Sequence, residues 1–142
     1  MNPRLDFTVV LPVYYNEESL LPAYEKLKTA LLALQPRLRG GLLYVDDGSG
    51  DGSFAALRQI HAKGEIPVSV VRLSRNFGQV MAIRAGIAHC DSSAAIVMSA
   101  DGQEPVDLIP QMLAEHFDRK IEVVICTRAD RDDGAYRTAT SR

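Results

Sequence analysis

The chain has 142 residues and a mass of 15.6 kDa, which is the size of a single domain with one hydrophobic core. Apolar residues make up 46% and charged residues 24% of the sequence, which excludes a disordered chain. The net charge of −2 argues against a nucleic-acid partner, and only two cysteines exclude a disulfide-dense scaffold. No signal-peptide pattern follows Met1 and no apolar run approaches the roughly 18 residues of a membrane span, so a cytoplasmic domain is expected.

Apolar runs alternate along the first half of the chain with stretches of helical periodicity. Residues 7–13 predict a buried strand, and the helix that follows is expected to end at Gly40-Gly41. Residues 42–45 predict a second strand, and a glycine-rich turn spans residues 46–52. Five residues at helical spacing are predicted to face inward from the first helix: Leu20, Tyr24, Leu27, Leu31 and Leu34.

The same alternation continues in the second half. Residues 68–73, 94–98 and 121–125 predict a third, a fourth and a fifth strand, and Pro105 and Asp107 mark the start of a helix. Cys126 lies in the fifth apolar run and is predicted to be core. From position 128 onward the pattern dissolves. The helical stripes between the strands consist of Phe54, Leu57 and Ile60, then Val80, Ile83, Ile87 and Cys90, then Leu108, Met112, Leu113 and Phe117.

Strands that are apolar throughout and joined by helices predict an α/β fold. We expect three layers, with a mostly parallel, Rossmann-like sheet covered by helices on both faces. Such a sheet places its ligand site outside the carboxyl ends of its strands.

Acidic residues gather at those predicted strand ends. Asp46 and Asp47 follow the second strand and Asp101 follows the fourth. Neighbouring carboxylates repel one another unless a cation or hydrogen-bond donors compensate them, so these three together favour a ligand site. For Glu17, Glu18, Asp51 and Asn76, capping of the next helix is the alternative.

Two of these strand ends suggest particular ligands. Asp101 and Gln103 are two residues apart and carry the oxygen ligands that Mg²⁺ and Mn²⁺ prefer. The 46–52 loop lacks the GxGxxG spacing, and its carboxylates suit a ribose or a base edge better than a phosphate. Arg128 and Arg131 could bind a phosphate through paired bonds, or could form surface salt bridges with Asp130, Asp132 or Asp133.

Five motifs, in this order, resemble those of the inverting family-2 glycosyltransferases with a GT-A fold. The resemblance is to the group of dolichol-phosphate mannosyltransferases and bacterial polyprenyl-phosphate glycosyltransferases. It covers nearly the whole chain and corresponds to the amino-terminal part of these proteins. The motifs are Pro-Val-Tyr-Tyr-Asn-Glu-Glu (12–18), Tyr-Val-Asp-Asp-Gly-Ser-Gly-Asp-Gly-Ser (44–53), Arg-Asn-Phe-Gly-Gln (75–79), Ala-Asp-Gly-Gln-Glu-Pro (100–105) and Arg-Ala-Asp-Arg (128–131).

The resemblance implies roles for individual residues. Asp101 and Arg128 would be catalytic, and Arg128 would reach the donor diphosphate or the acceptor phosphate. Asp101 and Gln103, with Ser99, would hold Mg²⁺ or Mn²⁺. Arg131 and Ser141, with Arg142, would receive the acceptor phosphate. The residues implied to contact the nucleotide-sugar donor are Pro12, Tyr14, Tyr15, Glu17, Val45, Asp47, Gln79 and Ala100.

The resemblance also implies an organisation and a setting. Residues 1–127 would form the GT-A nucleotide-sugar-binding domain, and residues 128–142 would begin a truncated acceptor loop. The partners would be a nucleotide sugar and a polyprenyl phosphate or another glycan acceptor. Relatives continue through interfacial helices and usually membrane spans, so the full-length protein would lie at the cytoplasmic face of a membrane. A homo-oligomer is left open.

Two departures from the family pattern bear on activity. Ser99 stands where the family motif Asp-Ala-Asp-Leu-Gln has its first carboxylate, which predicts a weaker cation site or lower activity. The doubled tyrosine leaves the match of Tyr14 or Tyr15 open. The alternative function is a non-catalytic nucleotide-binding module or an inactive fragment. A sugar nucleotidyltransferase ranks low, because Tyr-Tyr-Asn-Glu-Glu stands where its glycine-rich signature is expected.

Overall fold

The computed structural model describes residues 4–127 and the backbone of residues 138 and 139. The strands are β1 (Leu5–Val13), β2 (Gly40–Asp46), β3 (Val68–Arg72), β4 (Ser92–Val97), β5 (Ile125–Cys126) and β6 (Thr138–Ala139). The helices are α1 (Glu17–Ala33), α2 (Ser53–Lys63), α3 (Gln79–Ala88) and α4 (Leu108–Phe117). The chain falls into two compact units, Met1–Val106 and Asp107–Arg142.

The first unit is built on a four-stranded sheet in the order β3-β2-β1-β4, in which every pairing is parallel. The chain runs outward from β1 through β2 to β3 and then returns to β4 on the other side of β1. Because crossovers between parallel strands are right-handed, α1 and α2 cover one face of the sheet and α3 covers the other. The predicted three-layer α/β fold with a mostly parallel sheet is confirmed.

The core lies on both faces of β1 and β2, where side chains from Val9 to Leu11 and from Leu42 to Val45 are almost completely buried. From α1 the chain buries Leu20, Tyr24, Leu27 and Leu31, as the helical spacing predicts. These two central strands carry two of the four polar loops at the carboxyl edge of the sheet, so those two loops stand on the most deeply buried part of the fold.

The start of β2 differs from the prediction. Gly40 and Gly41 do not lie outside the strand as a helix stop but form its first two residues. A Cβ on Gly40 would lie 2.2 Å from Cζ of Phe7, and one on Gly41 would lie 2.6 Å from Cδ1 of Leu5. The glycines are therefore needed inside the sheet, where they leave room for the side chains of β1.

The predicted inward stripe of α3 is wrong at two of its four positions. Val80 is 77% exposed and Ile87 is 49% exposed, whereas Ile83 and Cys90 are partly buried and Cys90 packs against the core. Ala82 and Gly86 are the buried residues of the helix, and a Cβ on Gly86 would lie only 2.4 Å from Cγ1 of Val10. The helix approaches the sheet closely through its small residues, and this leaves Val80 and Ile87 facing outward.

The predicted fifth strand is also wrong in extent and in partner. Only Ile125 and Cys126 are extended, and they pair antiparallel with Thr138 and Ala139 rather than joining the parallel sheet. Val123 and Ile125 are more than half exposed, so this apolar run lacks the burial that a parallel strand needs. Cys126 is exposed and is not a core residue. In the same unit, α4 begins after Asp107, as predicted.

A charged network joins α1 to the carboxyl end of α2 and to the segment before β3. Lys28 Nζ lies 2.7 Å from Glu25 Oε2 and 2.9 Å from Glu65 Oε1, and Lys63 Nζ lies 2.9 Å from Glu25 Oε1. The Lys28 ammonium is the main cause that lowers the pKa of both carboxyl groups. Burial and a hydrogen bond donated to Glu65 raise the pKa of Tyr24 to about 12.

Tyr44 offers a contrast with Tyr24. Its side chain is 1% exposed, and its hydroxyl has no hydrogen-bond partner in the part of the chain that the structure describes. Burial raises the pKa of this phenol, because an unpartnered phenolate would be costly in the core.

Candidate functional site

The candidate site lies at the carboxyl edge of the four-stranded sheet, where β1 to β4 each end in a polar loop. Val13 of β1 pairs with Asp46 of β2, and Val10 of β1 pairs with Val97 of β4. Because β2 and β4 flank β1, their ends are separated by one strand, roughly 10 Å across. Asp47 and Asp101 follow these strands at the same edge, and the strand order reverses between β1 and β4. This reversal is where ligands bind in open α/β sheets.

The loops after β1 and β2 are joined by three hydrogen bonds. The N–H of Tyr15 donates to Ser49 Oγ at 3.1 Å, and that of Asn16 donates to Ser53 Oγ at 2.9 Å. In the opposite direction, the N–H of Gly52 donates to Glu17 Oε2 at 3.0 Å. The carboxylate of Glu17, predicted to contact the donor, is thus engaged with the neighbouring loop.

Two tyrosines stand exposed at the end of β1. Tyr14 and Tyr15 are 48% and 56% exposed, and their rings pack edge to face with centroids 4.7 Å apart. Tyr15 adopts a left-handed backbone conformation at φ 54°, and its hydroxyl would lie 2.5 Å from a Cβ on Gly50. The close approach of Gly50 therefore leaves room for the Tyr15 ring. Both predicted donor contacts present aromatic surface at the site edge.

Asp46 is completely buried at the end of β2. Its Oδ1 accepts the N–H of Ser49 at 3.1 Å, whereas its Oδ2 has no hydrogen-bond partner among residues 4–127. Arg72 Nε lies 3.4 Å from Oδ2 in an ion pair, and the Arg72 guanidinium stacks on the Phe54 ring at 4.3 Å. The arginine offsets the buried charge. The sequence analysis places Asp46 among the acidic residues of the predicted site and assigns it no separate role.

Asp47 has a different environment from its neighbour. Its carboxylate is 2% exposed, and it accepts the N–H of Phe77 at Oδ1, 2.8 Å away, and that of Gly78 at Oδ2, 3.0 Å away. Both oxygens are therefore bound to the loop after β3. The predicted contact of Asp47 with a donor would need a further bond to oxygens that are already engaged.

The loop after β3 leads directly into α3. Gly78 is the N-cap of α3, with φ 95° and ψ 156°, so the alternative that Asn76 caps this helix is wrong. A Cβ on Gly48 would lie 2.5 Å from the carbonyl carbon of Arg75, which shows how closely the loops after β2 and β3 approach. The Arg75 guanidinium lies over the exposed Phe77 ring at 4.0 Å. Gln79, a predicted donor contact, is exposed at the first turn of α3.

The turn after β4 is stabilised by its own carboxylates. Ser99 Oγ donates to Asp101 Oδ1 at 2.9 Å, and the N–H of Gln103 donates to the same oxygen at 3.0 Å. The N–H of Ser99 donates to Glu104 Oε2 at 2.7 Å. Gly102 turns the chain with φ 74°, and a Cβ there would lie 3.2 Å from Cβ of Ala23. Sequence reasoning gave no role to Glu104, although it belongs to the 100–105 motif.

The donor atoms of this turn fit a hard divalent cation. Carboxylate, hydroxyl and amide oxygens are available from Asp101, Ser99 and Gln103, and Asp101 and Gln103 are exposed. Among residues 4–127 no group of three His, Cys, Asp or Glu side chains could hold a metal on its own. The turn therefore suits a cation that keeps one or two protein carboxylates and completes its shell with water or phosphate oxygens.

The other predicted site residues fall into three groups. Pro12 is partly exposed at the end of β1. Val45 and Ala100 are 0% and 3% exposed, so neither residue presents appreciable surface to a ligand. Arg128, Arg131, Ser141 and Arg142 lie outside the described residues.

Comparison with known proteins gives the family. The fold is that of the GT-A glycosyltransferases: it matches the mannosyltransferase PcManGT of Pyrobaculum calidifontis, solved with GDP-Man and Mn²⁺, at a TM-score of 0.69 and 21% identity. The match covers 92% of this chain and 38% of that one. The family model described as "Glycosyl transferase family 2" matches residues 8–142, and the chain belongs to this family.

Two curated relatives are similar over almost the whole chain. An uncharacterized glycosyltransferase of Bacillus subtilis, YkcC, is 35% identical over 92% of this chain and 39% of its own length. An undecaprenyl-phosphate 4-deoxy-4-formamido-L-arabinose transferase of Pseudomonas fluorescens is 36% identical over 95% of this chain and 39% of its own length. The chain thus spans about two fifths of these relatives. No helix in the described part of the chain is long and apolar enough to cross a membrane.

Proposed function

We propose that this chain is the donor-binding part of an inverting glycosyltransferase that moves a sugar from a nucleoside-diphosphate donor to a polyprenyl phosphate. Membership of glycosyl transferase family 2 supports the reaction class. The undecaprenyl-phosphate transferase among the relatives supports the acceptor. A protein acting on such a lipid would work at the cytoplasmic face of a membrane, with the acceptor region supplied by further chain.

The single observation that carries the donor site is the pair of exposed tyrosine rings at the end of β1, Tyr14 and Tyr15, beside the loop that follows β2. A nucleoside base can stack on exposed aromatic surface of this kind.

The diphosphate of the donor would lie toward the turn after β4. A cation bound by Asp101, Gln103 and Ser99 would offset the charge that develops on the departing diphosphate. Arg128 would add a second positive charge there, and Arg131 and Ser141 would receive the acceptor phosphate. A lipid phosphate is already ionised, so it can attack the anomeric carbon from the opposite face without a protein base.

Calorimetric titration with GDP and UDP, each with and without Mn²⁺, tests this function. We expect one nucleotide to bind more tightly with Mn²⁺, and we expect Asp101→Asn to abolish the difference. Asp107→Asn is the control, because it removes one charge from an exposed residue that makes no side-chain capping bond. If neither nucleotide binds in a Mn²⁺-dependent way, the donor-site proposal fails.

The second candidate is a non-catalytic nucleotide-binding module, and the serine at position 99 favours it. Both candidates predict nucleotide binding by this chain. The two candidates can be distinguished in a longer chain that carries the acceptor region. When a polyprenyl phosphate is added to such a chain with the sugar donor, only a transferase releases free nucleoside diphosphate.

A further inference from the structure

We propose that the outward face of α3 is a docking surface for an anionic lipid bilayer. The inference goes beyond the donor site, and only its purpose rests on the proposed function, since a polyprenyl phosphate acceptor lies in a membrane. The docking surface, called the α3 surface below, consists of exposed residues of the helix and of the loop before it: Arg75, Phe77, Val80, Met81, Arg84 and Ile87.

The apolar part of the α3 surface follows from the way the helix packs on the sheet. Because Ala82 and Gly86 face the sheet, large side chains remain on the opposite side of the helix. Val80 is 77% exposed and Ile87 is 49% exposed, and their separation of seven residues places them on one face. Exposed apolar side chains that lie together in this way are typical of surfaces that bind a protein or a membrane.

The charge of this part of the chain favours an anionic partner. Residues 73–90 contain two arginines and no aspartate or glutamate, although the whole chain has a net charge of −2. Arg75 and Arg84 are both exposed, and within residues 4–127 neither forms an ion pair with a carboxylate. Arg84 follows Val80 by four residues and precedes Ile87 by three, so it lies on the same face. Apolar and basic residues that share one helix face suit the headgroup region of an anionic bilayer.

The same charges argue against the other occupants of such a face. A second copy bound through the same surface would bring the arginines of one copy close to those of the other, and like charges repel. An apolar protein segment would leave both guanidinium groups without an anion. Phospholipid headgroups supply a phosphate to each arginine while the acyl region receives the apolar side chains.

The α3 surface adjoins the candidate site. The N–H groups of Phe77 and Gly78 donate to the carboxylate of Asp47, so α3 begins at the carboxyl edge of the sheet. A bilayer in contact with the outer face of α3 would lie about 10 Å, the diameter of one helix, from the sheet. This orientation would bring the polar loops of the carboxyl edge near the headgroup level, where the phosphate of a polyprenyl phosphate lies.

The test is sedimentation of the 142-residue chain with sucrose-loaded vesicles. One set contains phosphatidylcholine and phosphatidylglycerol in equal parts, and the other contains phosphatidylcholine alone. We expect binding to the anionic vesicles that is about tenfold or more tighter than binding to the neutral ones and that weakens as salt is added. Arg84→Glu and Val80→Ser should each weaken binding to the anionic vesicles, the charge reversal by about tenfold or more.

Matched controls lie on the helices that cover the other face of the sheet. Arg58→Glu reverses the charge of an exposed arginine on α2. Leu32→Ser replaces an exposed apolar residue on α1. Neither variant should change vesicle binding, because neither residue belongs to the α3 surface.

Several results would overturn the inference. These are a wild-type chain that binds no vesicles, equal binding to neutral and anionic vesicles, and equal losses in Arg84→Glu and Arg58→Glu. Sedimentation velocity tests for a second copy, and a dimer that Val80→Ser dissociates would assign the surface to self-association instead.

The proposed function fails separately from the docking surface. A chain that binds anionic vesicles through α3 but binds neither GDP nor UDP keeps the docking surface and loses the donor site. Nucleotide binding without vesicle binding keeps the donor site and removes the docking surface.

Discussion

The carboxylate of Asp47 accepts the main-chain N–H of Gly78 at 3.0 Å, although the two residues are 31 positions apart. Gly78 is the N-cap of α3, and the other oxygen of Asp47 accepts the N–H of Phe77. One buried side chain therefore fixes the loop after β3 and the start of α3 against the end of β2. Asp47 is better placed to position the site than to contact a ligand.

Asp47→Asn should destabilise the protein by about 1–3 kcal/mol, because the amide can accept only one of the two N–H groups and leaves the other unsatisfied. Urea unfolding measures the loss, and faster hydrogen exchange at Phe77 and Gly78 locates it. Asp51→Asn is the comparison, since Asp51 accepts the single N–H of Ser53. A loss no larger in Asp47→Asn than in Asp51→Asn would contradict the assigned role.

The two buried tyrosines should respond in opposite ways to loss of the hydroxyl. Tyr24→Phe removes a hydrogen bond to Glu65 and should lower the free energy of unfolding by about 1 kcal/mol. Tyr44→Phe removes a buried hydroxyl that has no partner among residues 4–127, so stability should stay the same or rise. Thermal unfolding of the two variants provides the measurement. Equal losses in both would mean that the Tyr44 hydroxyl has a partner in solution.

Gly86→Ala should be destabilising by about 1–3 kcal/mol, even though alanine is the better helix former. The new Cβ would lie 2.4 Å from Cγ1 of Val10 and 3.1 Å from Cγ2 of Val45, so α3 would have to move off the sheet. Val80→Ala on the same helix is the control. Its side chain is 77% exposed, and little should change. Chemical unfolding of both variants decides whether the small residues or the large ones face the sheet.

The charged network around Lys28 should contribute to the free energy of unfolding at neutral pH, and this contribution should be lost in acid. Glu25 and Glu65 have pKa values below the ordinary 4.5, so the folded state binds fewer protons than the unfolded state there. The stabilisation is present above about pH 4.5 and is lost as the pH falls through the lower folded pKa values. Urea unfolding between pH 7 and pH 3 follows this loss.

Lys28→Met is the matching variant, since Lys28 contacts both carboxylates. In this variant the free energy of unfolding should fall less between pH 7 and pH 3 than in the wild type, and the core should remain intact. An acid profile that is as steep in Lys28→Met as in the wild type would show that other carboxyl groups cause the loss.

The parallel sheet, and the edge of the sheet where the candidate site lies, could be predicted from the sequence. The reason is that β1 and β2 are buried on both faces, and a strand buried on both faces appears in the sequence as a continuous apolar run. The prediction failed at α3 because hydrophobic periodicity assumes that large residues face inward, whereas Gly86 and Ala82 allow a closer contact. It also failed at residues 121–125, where an apolar run is only half buried. Hydrophobic periodicity shows which residues are apolar. It does not show how closely a helix approaches the sheet on which it packs.

For the candidate site, the motifs identified the right loops but not the partner of each atom. Asp46 and Asp47 are adjacent acids at one strand end, and nothing local distinguishes them. The difference arises from Arg72 and from the loop at Phe77 and Gly78, which are 26 to 31 positions away in sequence. The bond from the Ser99 N–H to Glu104 likewise joins two residues that a linear motif does not connect.

The reciprocal bonds between the loops after β1 and β2 bear on how a ligand would be received. Tyr15 and Asn16 are held by the hydroxyls of Ser49 and Ser53, and Gly52 is held by Glu17. Loops that are joined in this way have less conformational freedom to lose on association, so more of the contact energy appears as affinity. A ligand bound against them should therefore change their backbone little.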